Sequence, residues 1–355
     1  MSLESFSPVE IENAMAAALD FYMKGQPLSQ TIQEKPTWAK LLKGKKTFPG
    51  SRGEIKKNVK GKYTSSFQGY SGDDTVTYRN PANIKQATAP WFELHAGLSC
   101  TYTELKSNGI SVNNTNGDST SRHSDAAMSI VSDVLKDKMD DLDEGTTRSI
   151  NDMAWKDGTQ DSKAFPGITS IIVDDPTTGT CMGLDRSTLV DERGNYYWRN
   201  RALVGSSKIT ASATDQTLTR TLKSELRQLR RFGGSPSLWV SGSAALGKLE
   251  MEAYSKGYLT QTGFTDGDTS IQVPNVMIPG LGRCIYDPTL DDLSRSDYMY
   301  LIDTKHLYLM VMQNEEFKQH SPERPPEKYV LYKGLTWTGC LYADQMNCHG
   351  VYQVA

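Results

Sequence analysis

Residues Glu54–Tyr78 read EIKKNVKGKYTSSFQGYSGDDTVTY and carry the most architectural information in the chain. It reads as two polar strands, Glu54–Gln68 and Thr75–Arg79, around a turn containing Gly69, Ser71, Gly72, Asp73 and Asp74, residue types that favour turn backbone. The apolar residues of this hairpin, Ile55, Val59, Tyr63, Phe67, Val76 and Tyr78, are too sparse for a core, and an isolated two-stranded ribbon is marginal in water. The ribbon must therefore lie against another surface. Its charge indicates which kind. From Lys40 to Lys62 eight lysines and Arg52 stand against Glu54 alone, a net of +8. The whole chain, with 39 basic and 42 acidic residues, carries −3, so the remainder carries −11. Part of that lies in Asp133–Glu144, where six acids stand against two lysines for a net of −4. A charge run is also what an ordinary solvated face carries. A ribbon that reaches an acidic surface on a neighbouring copy satisfies both the packing and the charge constraint.

The 355 residues suffice for two domains. Replacing tyrosine by glycine in the 37% hydrophobic count gives about 40%, against a typical 45–50%. Mean hydropathy is −0.52 and the isoelectric point is near 6.0. The chain is lean in core material, as expected if part of its surface is finished by other subunits, and a globally basic nucleic-acid binder is disfavoured. Five scattered cysteines, Cys100, Cys181, Cys284, Cys340 and Cys348, indicate neither a disulfide framework nor a zinc ribbon, and suit a reducing compartment. Met1–Glu10 lacks the basic and apolar regions of a secretory leader, and no stretch approaches a membrane span.

Toward the N-terminus, Pro8–Met23 has a helical pattern that stops at Lys24-Gly25. Ala87–Leu105 looks extended, and Asn108–Thr120 is rich in turn residues. A long acidic helix begins near Ser121, with a stripe including Ala127, Ile130, Val134 and Leu135, and resumes past Gly145 through Ile150, Met153 and Trp155. Lys156-Asp157-Gly158-Thr159 ends it. Ile168–Val173 reads as a buried strand. Asp215–Phe232 is a second strong helix, with Thr214 or Asp215 as N-terminal cap. A strand at Leu238–Val240 and a helix at Ser243–Lys256 follow. Tyr298–Ile302 and Leu307–Met312 read as an antiparallel pair, and Tyr329–Tyr342 as a final extended segment.

Catalytic signatures are missing from this sequence. It has no phosphate loop, dinucleotide fingerprint, nucleophile elbow or H-E-x-x-H. The five histidines, His95, His123, His306, His320 and His349, are well separated. Cys340, Cys348 and His349 fit no standard zinc spacing, and packing thiols are the better account. Asp266-Gly267-Asp268 is a turn rather than a calcium loop. In Trp198-Arg199-Asn200-Arg201 the tryptophan is expected to anchor a core while the arginines make salt bridges. A phosphate contact is the lesser alternative. No catalytic residue, cofactor or metal is expected.

In order along the chain these features resemble the major capsid proteins of tailed bacteriophages, with the Hong Kong 97-type fold. The basic hairpin, Gly53 to Asn80, looks like the family's extended E-loop. The acidic helix from Ser121 to about Trp155 looks like its spine helix, and Asp157-Gly158-Thr159 with Phe165-Pro166-Gly167-Ile168 is similar to its D-G-T…G-I passage. Tyr197-Trp198-Arg199-Asn200 resembles an element of related capsid proteins. The helix Asp215–Phe232, the strand that follows it and the next helix are similar to the axial-domain core, and Gly334–Val351 to the strand that re-enters the peripheral domain. The resemblance implies an α+β fold with an N-terminal arm (1–50), an E-loop (51–85), a peripheral domain (86–160 and 327–355) and an axial domain (161–326). It implies self-assembly into hexamers and pentamers of an icosahedral shell around double-stranded DNA, in the virion and assembled in the host cytoplasm. Portal, scaffolding and decoration proteins would be partners, and membranes would not. Inter-subunit contacts are expected of Lys56, Lys57, Lys60 and Lys62 against Asp137, Asp140 and Asp141, with Trp198 and Trp239 packing the axial domain. The rivals are an encapsulin-like nanocompartment shell and a soluble two-domain α/β enzyme.

Overall fold

The computed structural model describes residues 5–6, 35–50, 53–78, 80, 83–107, 111–112, 138, 141–142, 144–255, 277–278, 280–320 and 328–355. The expected helix Pro8–Met23 and the long helix between Ser121 and Asp137 lie outside these residues. In chain order the elements are β1 (Ser5–Phe6), α1 (Pro36–Lys43), β2 (Lys46–Phe48), β3 (Glu54–Lys60), β4 (Ile84–Pro90), β5 (Phe92–Thr101), α2 (Tyr102–Ser107) and β6 (Ser111–Val112). Then come α3 (residues 144–155), α4 (Ile168–Ile171), β7 (Thr180–Cys181), β8 (Leu184–Asp185), β9 (Arg201–Leu203), α5 (Thr217–Arg230), β10 (Leu238–Ser241) and α6 (Ser243–Ser255). The last are β11 (Met277–Ile278), β12 (Gly282–Tyr286), α7 (Pro288–Asp292), β13 (Tyr298–Ile302), β14 (Leu307–Met312), β15 (Lys318–Gln319), β16 (Val330–Ala343) and β17 (Gly350–Gln353).

The chain forms two compact units, one of residues 1–34, 92–152 and 311–339, the other of 35–91, 153–310 and 340–355. In the first, β16 pairs antiparallel with β5 over ten residues, from Val330 opposite Thr101 to Gly339 opposite Phe92, and β15 joins its other edge. Glu104 of α2 accepts from the Thr101 backbone at 3.0 Å and is bridged by Lys138 at 3.0 Å.

The second unit is built on a six-stranded sheet in the order β11–β12–β10–β13–β17–β9. Leucines 218, 222 and 229 of α5 and Leu246 and Leu249 of α6 cover one face, packing on Trp239, Cys284, Met299, Leu301 and Tyr352. On the other face Trp155 packs against Tyr300 with the rings tilted by 60° and their centres 5.0 Å apart. Buried Asp287 caps α7 by accepting from Thr289 N–H at 3.0 Å, and it also accepts from the Thr37 hydroxyl at 2.6 Å and Trp155 Nε1 at 3.2 Å. A buried carboxylate held by that many donors satisfies its own lone pairs and fixes α1 and the end of α3 to the sheet.

Four expectations are corrected. Ile168–Val173 is not a strand: Ile168–Ile171 is one helical turn, closed by Ile172 N–H to the Ile168 carbonyl at 2.7 Å. Ile168, Ile171 and Ile172 are all buried, the i, i+3, i+4 spacing of a helix, and so short an apolar run does not separate the two states. Tyr298–Ile302 and Leu307–Met312 are strands but do not pair with each other: β13 lies between β10 and β17, β14 between β16 and β2. Both are buried almost throughout, so their pattern fixes the state and not the partner. Neither Thr214 nor Asp215 caps α5. Glu252 of α6 does so, its buried carboxylate accepting from Leu218 N–H, Thr219 N–H and the Thr219 hydroxyl, each at 2.9 Å. The partner of β3 is not Thr75–Arg79 but β4, from Glu54 opposite Pro90 to Lys60 opposite Ile84.

Candidate assembly surface

The β3–β4 ribbon alternates as a two-faced strand pair should. Ile55, Val59, Ala87 and Ala89 are buried, while Glu54, Lys56, Asn58 and Lys60 face out. The small alanines let the ribbon sit close to the rest of the second unit: the Tyr342 hydroxyl donates to the Ala87 carbonyl at 3.2 Å, and Thr88 N–H donates to the Met182 carbonyl at 2.8 Å. Because direction alternates along β3, Lys57 points inward with Ile55 and Val59. Its ammonium donates to the Tyr308 hydroxyl and lies 4.7 Å and 5.2 Å from the ring centres of Tyr308 and Tyr342. Lys46 sits on the same Tyr308 ring at 3.4 Å. Asp344 completes the cluster, accepting from Tyr308 Oη at 3.2 Å and meeting His306 Nδ1 at 2.8 Å. Burial first, and Lys46 second, lower the Lys57 pKa below the usual lysine value. Burial and then Asp344 push the Tyr308 and Tyr342 phenols up, and burial raises the Cys340 thiol to about 12.

Between Lys60 and Ile84 the described residues, 61–78, 80 and 83, form no helix or strand. A turn at the tip is held by Ser71 N–H to Asp74 Oδ2 at 2.9 Å and Asp74 N–H to the Ser71 carbonyl at 3.1 Å. Thr77 N–H reaches Gln68 Oε1 at 3.2 Å, and Tyr63 N–H donates to Glu192. The side chains here are aromatic and uncovered: Phe67 is 110% exposed, Tyr78 91%, Tyr70 71% and Tyr63 63%. Four large exposed rings in one loop, uncovered among the described residues, are of the kind that marks an interaction surface.

Of the residues singled out in the sequence, Lys56, Lys60 and Lys62 are exposed on or beside the ribbon. Lys56 pairs with Glu54 at 3.3 Å, and Lys60 lies 4.7 Å from the Tyr63 ring centre. Lys57 faces inward. Asp141 is exposed on a helical segment, and Asp137 and Asp140 lie outside the described residues. Trp198 is fully buried and donates through Nε1 to the Cys181 carbonyl at 3.1 Å. Trp239 is buried in the core beside α5 and α6.

The element Trp198–Arg201 is consumed by structure. Arg199 donates to the Arg186 and Thr177 carbonyls at 2.8 and 2.9 Å and stacks on Tyr196. Asn200 accepts from buried Arg186 at 3.1 Å, and Arg201 grips Glu225 with two bonds of 2.8 and 2.7 Å. Burial lowers the Arg186 pKa, although carbonyls and Asn200 satisfy its donors. The passage Asp157–Ile168 is likewise a capping device. Asp157 accepts from Thr159 N–H and hydroxyl at 3.0 and 2.7 Å, and Gly158 takes the left-handed conformation, φ +90°. Gly167 then donates to the Lys156 carbonyl at 2.8 Å and packs so tightly on the end of α3 that a Cβ would fall 2.4 Å from the Met153 and Ala154 carbonyls. Buried His349 accepts from Asp303 N–H at 3.2 Å, and burial lowers its pKa to about 4, so it is neutral. Among the described residues no group of three potential ligands could hold a metal ion, and no helix is long and apolar enough to cross a membrane. The inward lysine–tyrosine cluster and the Glu252 cap carry no signal in the sequence, because their members lie far apart in it.

No family model matches the sequence, and no curated protein is detectably similar to it. Solved structures do match. Against the capsid asymmetric unit of cyanophage A-1(L) the TM-score is 0.58 at 16% identity, covering 90% of this chain and 92% of that one. Against the capsid of a native GTA particle it is 0.53 at 11% identity, covering 89% and 90%. The same particle type in its empty state gives 0.51 at 9% identity, over 89% and 90%. A two-domain α/β enzyme is not the fold found. The chain has the Hong Kong 97-type fold of phage and GTA capsid proteins.

Proposed function

We propose that the chain is the major shell subunit of a phage head, assembling with copies of itself into hexamers and pentamers of an icosahedral capsid that encloses double-stranded DNA. The observation that carries this reading is the ribbon tip: Phe67, Tyr70 and Tyr78 stand exposed on a chain with a capsid fold, and apolar rings of that size find cover in an obligate interface. The tip lies on a neighbouring subunit. Lys56, Lys60 and Lys62 face acids there, such as Asp137, Asp140 and Asp141, while Lys57 faces inward on Tyr308 of its own subunit. Exposed ion pairs contribute only about 0–1 kcal/mol each, so they set register while the rings supply affinity. Portal, scaffolding and decoration proteins are partners by the same reading, and the virion is its location.

Deleting residues 62–80 tests it. The paired ribbon survives, closed through Gly61 and residues 81–83, so a folded subunit is expected that forms no closed particles by negative-stain microscopy. Closed shells from that deletion overturn the assignment. Wild-type shells holding protein cargo and no nucleic acid would move the reading to a nanocompartment.

A further inference from the structure

Around the turn Asp303–His306 the second unit gathers cations from three separate stretches of chain. The end of α1 meets the turn, where a Cβ on Gly44 would lie 3.7 Å from the Thr304 carbonyl oxygen. The connection from α5 to β10 is held to it by Ser235 N–H donating to Asp303 Oδ2 at 2.7 Å, and by the Ser237 and Thr304 hydroxyls 2.8 Å apart. Lys40, Lys43 and Lys46 from the first stretch, Lys305 in the turn, and Arg230 and Arg231 from the third are all exposed.

The acids nearby are spent inside the fold. Asp303 is buried and accepts from Ser235 and Lys305 backbone N–H, Asp287 is buried under Thr37 and Trp155, and Asp344 is engaged by His306 and Tyr308. Among the described residues Lys40, Lys43, Lys305 and Arg230 make no ion pair. Among the described residues the exposed charges around this turn are of one sign.

We propose that this surface binds the phosphate backbone of duplex nucleic acid without reading its sequence. Two observations choose that partner over an acidic protein segment. A protein interface rests on apolar anchors, and the one large apolar side chain exposed beside this turn, among the described residues, is Phe232, which the Arg231 guanidinium partly covers at 5.4 Å from the ring centre. Lysine ammoniums on flexible stems are point charges suited to phosphates, and binding through them gains from release of condensed counterions. The shortage of open aromatic faces also argues against single strands, whose bases need stacking partners. The inference deepens the shell reading by naming where enclosed DNA meets the subunit, and rests on that reading for its biological sense. Its chemistry is testable apart from assembly.

Fluorescence anisotropy with a ~30-base-pair duplex of random sequence, titrated from ~50 to ~200 mM salt, tests it on the full chain. Wild type should bind, with affinity falling as salt rises. The variant K40Q/K43Q/K305Q should bind more weakly, its slope of log affinity against log salt smaller in magnitude by about 2–3, since each phosphate contact contributes ~0.9. The same comparison on subunits lacking residues 62–80 should give the same difference, which separates this result from the fate of the shell. Failure of wild type to bind duplex, or equal slopes for the two proteins, overturns the proposal. So does binding of poly-glutamate as tight as binding of duplex, which would point to an acidic protein instead.

Discussion

Substituting Phe67, Tyr70 and Tyr78 together by serine separates folding from assembly. The three rings are 110%, 71% and 91% exposed, so the isolated subunit has almost nothing to lose, and its stability should hold within ~0.5 kcal/mol, as for ordinary surface changes. In the assembled shell the account differs. Full burial of a large apolar side chain stabilises by ~1.5–3 kcal/mol, so three contribute ~4–9 kcal/mol in gross terms. Ordering each side chain at an interface costs ~0.5–1.5 kcal/mol. Taking the middle of both ranges, about 7 less about 3, the net loss on substitution is about 4 kcal/mol per ribbon contact, which at ~1.4 kcal/mol per decade weakens each contact by roughly a thousandfold. The assay is the subunit concentration at which particles first appear by light scattering, read beside the urea midpoint of the dissociated chain. The expected result is an unchanged midpoint with assembly pushed beyond any accessible concentration. Particles appearing at the wild-type concentration would refute the argument that the tip is covered by a neighbour.

Two further predictions concern the subunit alone. Gly167→Ala forces a Cβ to within 2.4 Å of the Met153 and Ala154 carbonyls, backbone atoms that cannot swing aside. It should destabilise by ~1–3 kcal/mol, the usual cost of overpacking, seen as a lower urea midpoint with an unchanged m-value; an unchanged midpoint would show that the helix end is loose. Lys57→Met keeps the stem of the side chain and removes a cation whose folded pKa lies below its unfolded value. Between those two values the unfolded state binds more protons, so Lys57 makes wild-type stability rise with pH and weighs against the fold most at neutrality. The variant should therefore melt at or above the wild-type temperature at pH 7, with the difference shrinking toward pH 9.5. The groups facing Lys57 from other elements are Lys46, Tyr308, Tyr342, Asp344 and Cys340. Since the two phenols and the thiol stay neutral through that range, a difference that grows with pH would contradict the assignment.

The architecture was legible where local pattern and tertiary role agree. The second helix, the β10 strand and the next helix stand within a residue or two of their expected bounds because each has a capped or glycine-ended stripe feeding one core. The passage Asp157–Ile168 was legible as a stop, since its glycines do local work. Pairing was not legible. Ile84–Pro90 has Ala87 and Ala89 as its buried positions, and alanine gives no strand signal, so the turn at Ser71–Asp74 drew the expected hairpin too short. A partner such as Glu252 for α5 is invisible for the same physical reason: a carboxylate 33 residues from the amide it accepts from leaves no mark on sequence spacing. Tests of strand partners need long-range information that one sequence does not carry.

The same limit changes what the +8 segment means. A run of charge along a sequence suggests one surface, yet successive residues of a strand point to opposite faces, and the segment divides accordingly. Lys56 and Lys60 face out on the ribbon, Lys57 faces in against two tyrosines, and Lys40, Lys43 and Lys46 lie with Lys305 around a turn that is distant in sequence. Three different tasks therefore share one basic stretch. Reversing all its lysines at once would place a carboxylate at position 57 beside Asp344, and loss of particles would then report a damaged subunit. Only the outward lysines can report on docking to a neighbour, and only those around the turn on nucleic acid. The charge of the ribbon is thus a poor guide to assembly by itself, and the exposed rings at its tip are the more discriminating feature, because none of the described residues covers them.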